Sequence, residues 1–577
     1  MAKWWEENAA RWELEKQALD TAGITFVEDQ AALSCGALVL NLSMEWEGQP
    51  LRLFARYPTP YPYFPPMVVA PDLSLARHQT PGTNQLCLLR HGGEQWEPAT
   101  DTLAKLLVEQ LPIIFAGQPG GPEENNQGQE AEPITAFLDA EQESFIGFPA
   151  YTFDNLPASG TFRFGLEHPA PLRGTVIEVL DNEGRTLFRS EVRDKTYYRE
   201  CKVPIITGRW IRVDERPPAA DAEAYYRLAI AVKPALQRPQ WESIPSSNNF
   251  KLDMVALLFA DELAWQAAAG NVIVVSKSQQ AAAGGKRTPV KPRLHRAELE
   301  SRSNYFMRDP SADGLQKGRV TLVGVGSIGS PAAKLLAQGG IGFLRIVDHD
   351  ILNAGNAIRW ETGRSTAGLS KAAVLYQLLN ANFPYTKVEA AQWRIGDPQM
   401  AADAREPEFY DQLFRNTHCL FDATASIPVN QFLSEMARAR GVPYIWMHAT
   451  HGGWAGLVGR AGTARTDFCW MCHLYYLNEN RPGELQIPPL PHAPDDQVQP
   501  PGCLDPTFIG AQVDLTEVSL MGTRLVRDEI LTRTGAQTTS AYDWNVAILR
   551  LRDDNGRPQL PVWEPYTLPP HADCPNH

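Results

Sequence analysis

The chain of 577 residues carries 53 Lys and Arg against 67 Asp and Glu, a formal net charge of -14, which argues against nucleic acid as a partner. Hydrophobic residues at 44% and charged residues at 21% exclude global disorder, and the length suggests three or four domains at about 150 residues each. No run of about 18 uncharged apolar residues is present, and the first residues lack the apolar core of a signal peptide, so no membrane partner and a cytoplasmic location are expected. In that setting the 8 cysteines are thiols or metal ligands before they are disulfides.

Two segments with little to bury, Gly117–Glu132 and Ser278–Pro292, divide the chain into 1–117, 133–277 and 293–577. The first stretch opens with an amphipathic helix carrying Trp5, Leu14 and Leu19. Strands follow at Ala37–Met44 and Leu51–Tyr57, then a Pro/aromatic run and a closing helix at Leu103–Phe115. The second stretch is strand-rich, at Thr161–Gly165, Thr175–Leu180 and Tyr226–Val232. It ends with a helix expected near Leu252–Ala267 and a strand at Asn271–Ser276. The third stretch begins with strand Arg319–Val323, helix Ser330–Gln338 and strand Phe343–Asp348, the alternation of a parallel α/β sheet.

Between that first strand and helix stands Gly324-Val-Gly326-Ser-Ile-Gly329. Glycines there let the backbone approach a phosphate, and the helix N-terminus favours its charge. Asp348, at the end of the next strand, can accept from ribose hydroxyls. Asp350, Asn356, Arg359 and Lys371 follow, a polar set that hydride transfer does not need and nucleotidyl transfer does, because its catalysis is charge stabilisation on phosphate oxygens with a bound metal. The pattern resembles the adenylation domain of the ThiF/MoeB and ubiquitin-activating-enzyme superfamily. The resemblance implies that Asp348 holds the ribose of ATP and that Asn356, Arg359 and Lys371 hold its phosphates with Mg2+. The family shows a second Asp after a later strand for magnesium; this chain has Asp422 followed by Ala425, which leaves Asp422 or Asp350 for the metal. The family also lends an arginine from a partner subunit, for which Arg302 and Arg308 are the candidates, and it implies a homodimer.

Cys469-x-x-Cys472 and Cys574-x-x-His577 have the spacing of two zinc knuckles, hence a structural Zn2+ site with three Cys and one His, for which His571 or His473 could replace His577. Cys503 lies between them after a Pro-rich loop. By resemblance to ubiquitin-activating enzymes it is the thiol that attacks the acyl-adenylate. In the first stretch, Tyr61-Pro-Tyr-Phe-Pro65-Pro66, His78, Leu86-Cys87-Leu88, Trp96-x-Pro98 and a helix follow in the order found in ubiquitin-conjugating enzymes. That resemblance makes Cys87 a thioester carrier. The family's His-Pro-Asn is here His78-Gln-Thr80, leaving Gln79 or Asn84 to supply an oxyanion donor.

Together the resemblances imply an α/β multidomain fusion. It has a UBC-like α+β domain, a middle β-rich domain (bridging, or degenerate adenylation-like) and a C-terminal Rossmann-like adenylation domain. Fusions of this kind occur in bacterial anti-phage operons, among them the CD-NTase-associated activating–conjugating fusions. The implied reaction is ATP-dependent adenylation of the C-terminal carboxylate of a ubiquitin-like protein or a nucleotidyltransferase with a Gly-type tail. Thioester formation on Cys503, transfer to Cys87 and conjugation to an amine acceptor follow, with the segment at 117–132 permitting movement between the two thiols. The alternatives are a sulfur-carrier adenylyltransferase of the ThiF/MoeB type, or a non-catalytic scaffold that only binds a ubiquitin-like tail.

Overall fold

A computed structural model describes residues 3–89, 95–118, 131–244, 250–264, 267–280, 291–398, 406–450, 452–462, 467–479, 497–498, 507–553 and 555–577. The chain divides into two compact units, Met1–Ser301 and Arg302–His577.

The first unit has a short helix at Trp4–Glu7 and then helix Ala9–Thr21, capped by the Asn8 side chain, which accepts from the Arg11 N–H. Strands β1 (Thr25–Glu28), β2 (Val39–Trp46), β3 (Gln49–Arg56) and β4 (Met67–Val69) pair in sequence order as an antiparallel meander. β3 shows why the sheet has one wet face: Leu51, Leu53 and Ala55 are buried while Arg52, Phe54 and Arg56 are exposed. Helix Leu103–Ala116, capped by Thr102 on the Lys105 N–H, buries Leu103, Leu107 and Leu111 in the same core as Leu19, Leu40 and Leu53. Within that core the carboxylate of Glu15 accepts from Tyr57 Oη at 3.1 Å and Leu103 N–H at 3.0 Å, and pairs with Arg11 at 3.2 Å.

Ten strands follow in one mixed sheet. They are β5 (Phe145–Pro149), β6 (Ser159–Pro169), β7 (Leu172–Asp181), β8 (Thr186–Arg189), β9 (Ile205–Arg212), β10 (Glu242–Ser243), β11 (Phe250–Ala264), β12 (Ala267–Gln280), β13 (Arg293–His295) and β14 (Ala297–Glu300). The order is β13-β12-β11-β9-β6-β7-β5-β14, with β8 beside β7 and β10 beside β11. Three expectations are corrected here. Leu252–Ala267 is not a helix: Phe250–Ala264 is a strand of the long β11–β12 hairpin, and Leu252 to Phe259 is buried without interruption. A strand covered on both faces reads as a continuous apolar run, which periodicity alone cannot tell from a buried helix. Tyr226–Val232 is helical, within Ala222–Val232, where Asp221 caps the Ala224 N–H. Residues 293–300 belong to this sheet through β13 and β14 and not to the third domain, because β13 pairs with β12 and β14 with β5.

The second unit contains β15 (Arg319–Val323), β16 (Phe343–Val347), β17 (Lys387–Ala391), β18 (Cys419–Asp422), β19 (Tyr444–Ala449) and β20 (Ala455–Ala461), then the short pair β21 (Gln497–Val498) and β22 (Thr507–Phe508), and last β23 (Val546–Arg552) and β24 (Pro558–Tyr566). Its main sheet runs β17-β16-β15-β18-β19-β20-β23-β24. The first five strands are parallel, in the doubly wound order that opens a crevice at the carboxyl end of β15; the last three pair antiparallel. Helix Gln512–Arg533 buries Leu515, Leu525, Val526 and Ile530 in the core shared with Leu322, Leu344 and Ile346. Among the described residues no helix is long and apolar enough to cross a membrane.

Glu300 on β14 sits over Gly147, and its buried Oε2 has no hydrogen-bond partner among the described residues. Burial pushes its carboxyl up to about 7; Arg193 opposes this, and Glu167 and Glu298 add to it. The folded state therefore holds a proton that the unfolded chain has released, and stability falls as pH rises from the unfolded value through about 7. Glu300→Gln is expected to flatten that decline and to stabilise the first unit at pH 8 by about 2–3 kcal/mol. Urea unfolding at pH 5 and pH 8 checks it: equal losses in the two proteins would contradict it.

Candidate active site

β15 ends at Val323, and the chain turns at once through Gly324, which has φ 84°. A Cβ at Gly324 would lie 2.8 Å from backbone atoms of Ala423 and Thr424, and one at Gly329 would lie 1.9 Å from the Gly324 carbonyl. These two glycines are required by packing. Gly326 differs, since a Cβ there meets nothing within 4 Å, so the loop presents a clear face on the side of its middle glycine. The loop is fixed from both sides at Val325. Its N–H donates to Asp348 Oδ2 at 2.7 Å, and its carbonyl accepts from Trp360 Nε1 at 2.7 Å. Trp360 is missed by reading motifs; its only signal is an aromatic residue next to Arg359.

Asp348 Oδ1 also accepts the Asp350 N–H at 2.8 Å, which turns the chain after β16. Asp350 pairs with Lys371 at 2.8 Å and lies 3.3 Å from His349 Nε2. Burial works against the Asp350 charge, but Lys371 outweighs it and holds the carboxyl below its ordinary value. Lys371 opens helix Lys371–Asn382, and its own N–H donates to the Asp350 carbonyl at 3.0 Å. Asn356 closes the turn before Arg359: its Oδ1 accepts the Asn353 N–H at 2.8 Å, and its carbonyl accepts the Arg359 N–H at 2.8 Å. The Arg359 guanidinium is half-buried, and that burial lowers its pKa.

Asp422, offered with Asp350 as the carboxylate for the metal, is turned into the fold. It is fully buried, with Oδ1 accepting from Thr424 N–H at 2.9 Å and Oγ1 at 2.8 Å and Oδ2 accepting from Tyr444 Oη at 2.8 Å. Burial also pushes its carboxyl up, against those donors. Asp422 thus braces the segment that packs on Gly324. The exposed carboxylate near the loop is Asp350, grouped with Asp348 and His349 within 4.8 Å. Of the two arginines, Arg302 is engaged inside the unit, donating to Ala312 O at 2.7 Å and Gly340 O at 3.0 Å and lying over the Phe306 ring. Arg308 is exposed.

Cys469, Cys472, Cys574 and His577 offer ligand atoms within 4.8 Å of one another. Cys469 Sγ is 3.6 Å from both Cys472 Sγ and Cys574 Sγ. Burial works against the Cys469 thiolate, but donors from Cys472 N–H, Asn576 and the neighbouring thiols hold it below its usual value. Cys574 is pushed up to about 12, by burial first and then by the other two sulfurs. Three crowded sulfurs and an imidazole are a soft four-donor set of the kind that suits a zinc ion. The alternative histidines are engaged elsewhere. His571 Nδ1 accepts the Asp573 N–H at 3.1 Å while Nε2 faces Glu479 at 3.0 Å, and His473 is buried against Trp446.

Cys87 is exposed between buried Leu86 and Leu88. The Leu86 N–H donates to Val68 O and the Cys87 N–H to His78 O, both at 2.8 Å, so a short extended segment turns the thiol outward. Of the two candidate oxyanion donors, Gln79 is committed within the fold and Asn84 is partly exposed. Gln79 is buried; its amide donates to Ala70 O at 3.0 Å and Leu73 O at 3.1 Å and accepts the Leu75 N–H at 2.8 Å. Asn84 has φ 55° and donates to Pro71 O at 3.5 Å. Cys503 lies outside the described residues.

The ThiF family model matches residues 301–504, the stretch that contains the glycine loop, Asp348, Asp350, Asn356, Arg359 and Lys371. Over 570 residues the chain is 30% identical to the uncharacterized protein y4oA of Sinorhizobium fredii, covering 93% of this chain and 92% of that one. The chain belongs to the family of y4oA, and its second unit holds a ThiF-family adenylation domain. Two further relatives match that domain. The probable adenylyltransferase/sulfurtransferase MoeZ of Mycobacterium tuberculosis is 28% identical over 158 residues, 26% of this chain and 38% of its own. The SAMP-activating enzyme E1 of Haloferax volcanii is 26% identical over 188 residues, 31% of this chain and 63% of its own. ThiF/MoeB-type adenylyltransferases use ATP with Mg2+, and the ThiF-family domain makes this chain an enzyme of E1-like type.

Proposed function

We propose that the chain adenylates the C-terminal carboxylate of a ubiquitin-like or similarly tailed protein, captures the acyl group on Cys503, and passes it to Cys87 and then to an amine. The observation that carries the first step is the clear face of the glycine loop, held by Asp348, with Asp350 paired to Lys371 beyond it and Asn356 and Arg359 on the turn between them. Asp348 anchors the loop and offers its remaining acceptor capacity to a ribose. A carrier carboxylate oxygen attacks the α-phosphorus and pyrophosphate leaves; Lys371 and Arg359 stand as the cations that oppose charge on the phosphate oxygens. Asp350, with Asp348 and His349 beside it, is the hard oxygen donor that would hold Mg2+, whose role when bound is to neutralise phosphate charge. A thiolate then attacks the acyl carbonyl with AMP leaving, a second thiolate exchanges onto the thioester, and an amine displaces that thiolate.

The N-terminal reading is supported by a helix, an antiparallel meander, an exposed cysteine segment and a closing helix in that order. Trp96 Nε1 donates to Pro62 O at 2.6 Å, joining the Pro/aromatic turn to the Trp-x-Pro turn. The relatives named for SAMP activation and for sulfur transfer support a small protein carrier. The sulfur-transfer alternative leaves the Cys87 segment without a task, and the scaffold alternative leaves Lys371 and Arg359 without one. The anti-phage setting rests on the resemblance of the fused arrangement alone.

ATP–pyrophosphate exchange with the carrier protein tests the reading. Arg359→Ala should abolish it, whereas Cys503→Ala and Cys87→Ala should keep it and lose the reducible adduct at both thiols or at Cys87 only, respectively. Normal exchange in folded Arg359→Ala would sink the assignment. Elemental analysis should find one zinc per chain, reduced at least tenfold in Cys574→Ala, an estimate from the loss of one of four ligands; a metal-free, fully folded protein would reject that site. A homodimer through the adenylation domain, with Arg308 reaching the partner, predicts a sedimentation mass of two chains. A one-chain mass at micromolar concentration would count against it.

A further inference from the structure

The segment that holds Cys87 is gripped by polar and charged side chains from outside the meander. Cys87 N–H donates to the carbonyl of His78, and His78 has φ 61°, a left-handed conformation that a residue with a side chain keeps only where its surroundings hold it. Three side chains do so. Gln118, after helix Leu103–Ala116, accepts the N–H groups of Ala76 at 2.9 Å and Arg77 at 3.2 Å and donates to Arg77 O at 3.0 Å. Glu132 Oε1 accepts the His78 N–H at 2.8 Å and lies 3.6 Å from His78 Nδ1. Glu262, near the tip of the β11–β12 hairpin, pairs with Arg77 at 2.5 Å, with the two side chains only 18% and 15% exposed.

The hairpin tip also fixes Glu132. Asp261, fully buried as a side chain, accepts the Ile134 N–H at 2.8 Å and Asn271 Nδ2 at 2.9 Å and pairs with Arg216 at 2.8 Å. Both flanks of the Gly117–Glu132 segment therefore converge on residues 76–78, at the base of the Cys87 segment.

We infer that the middle sheet is a buttress for Cys87, with Glu262 and Glu132 as positioning residues that act through Arg77 and His78. The inference rests on the reading of Cys87 as acyl carrier. Group transfer between thiols demands close placement of the attacking sulfur, and displacements of about 1 Å reduce such rates strongly. A residue at φ 61° whose carbonyl accepts the Cys87 N–H is where such placement is lost first, and the charge pairs are what keep it. The middle sheet thereby acquires a task in the reaction although it carries none of the catalytic motifs.

Hydrogen exchange on the full chain, read on peptides covering Cys87, tests this together with the pH profile of Cys87 alkylation by iodoacetamide. Cys35 and Cys201, both exposed, serve as references. Glu262→Arg and Arg77→Glu should each speed exchange at Cys87 by about tenfold and displace its alkylation profile, while Cys35 is unchanged. The double variant Arg77→Glu/Glu262→Arg should return both readings toward wild type, a rescue that a mere packing role does not give. Glu262→Gln should move them in the same direction by less, and it serves if the reversals fail to fold. Unchanged exchange in Glu262→Gln and Glu262→Arg, or a double variant no better than the singles, overturns the inference. So does loss of ATP–pyrophosphate exchange in Glu262→Gln, which would mean damage beyond the first unit. A Cys87→Ala chain that still forms conjugates overturns the carrier reading alone, since protection at residue 87 is measured without acyl transfer.

Discussion

The carboxylate of Asp348 organises the glycine-loop site. It receives the Val325 N–H at 2.7 Å and the Asp350 N–H at 2.8 Å, so one side chain fixes both the glycine loop and the turn after β16. Hydrogen bonds to an ionised acceptor are stronger than neutral ones, and the one from Val325 crosses between the ends of neighbouring parallel strands. Trp360 completes the arrangement by donating to the Val325 carbonyl, which leaves the loop little freedom. With the loop fixed, the second turn delivers Asp350 to Lys371, and Asn356 delivers the backbone of Arg359. The polar set depends on the loop, and the loop depends on Asp348.

Two acidic residues near the loop show how placement decides chemistry. Asp350 is half exposed and paired with a lysine, so its charge is held and its outer face remains reachable. Asp422 is enclosed and accepts from a backbone N–H and two hydroxyls, a state in which a carboxylate supports structure. The segment it braces includes Ala425 at φ 53°, next to the backbone on which Gly324 packs. A residue at the matching place in a motif can therefore serve the loop's shape without touching its ligand.

The parts legible in the sequence are those whose chemistry is written in short spacing. The glycine loop, Asp348, Lys371 and the two cysteine knuckles are local patterns, and the structure gathers the knuckles although more than a hundred residues separate Cys469 from Cys574. What long-range packing decides is not legible. Trp360, Tyr444 and Glu262 act through partners distant in sequence, and nothing around them marks the role. The run from Leu252 is rich in Leu, Met and Ala and reads as helix, yet burial on both faces makes it a strand. The helix Ala222–Val232 is its mirror case: Tyr225 and Tyr226 suggest a strand, and the Asp221 cap together with the buried side of the helix prevails.

The thiols divide by the same reasoning. Cys469, Cys472 and Cys574 are buried with sulfurs about a hydrogen-bond length apart, an arrangement that concentrates negative charge as soon as more than one ionises. Such a cluster calls for a cation and is poorly suited to a nucleophile. Cys87 is the opposite case. Its neighbours Leu86 and Leu88 are buried, so the alternation of an extended chain puts the thiol outside, and the backbone bond to His78 keeps it there. Its orientation comes from the core beneath it and its stability from charges beyond it, so an exposed thiol is still placed by many residues.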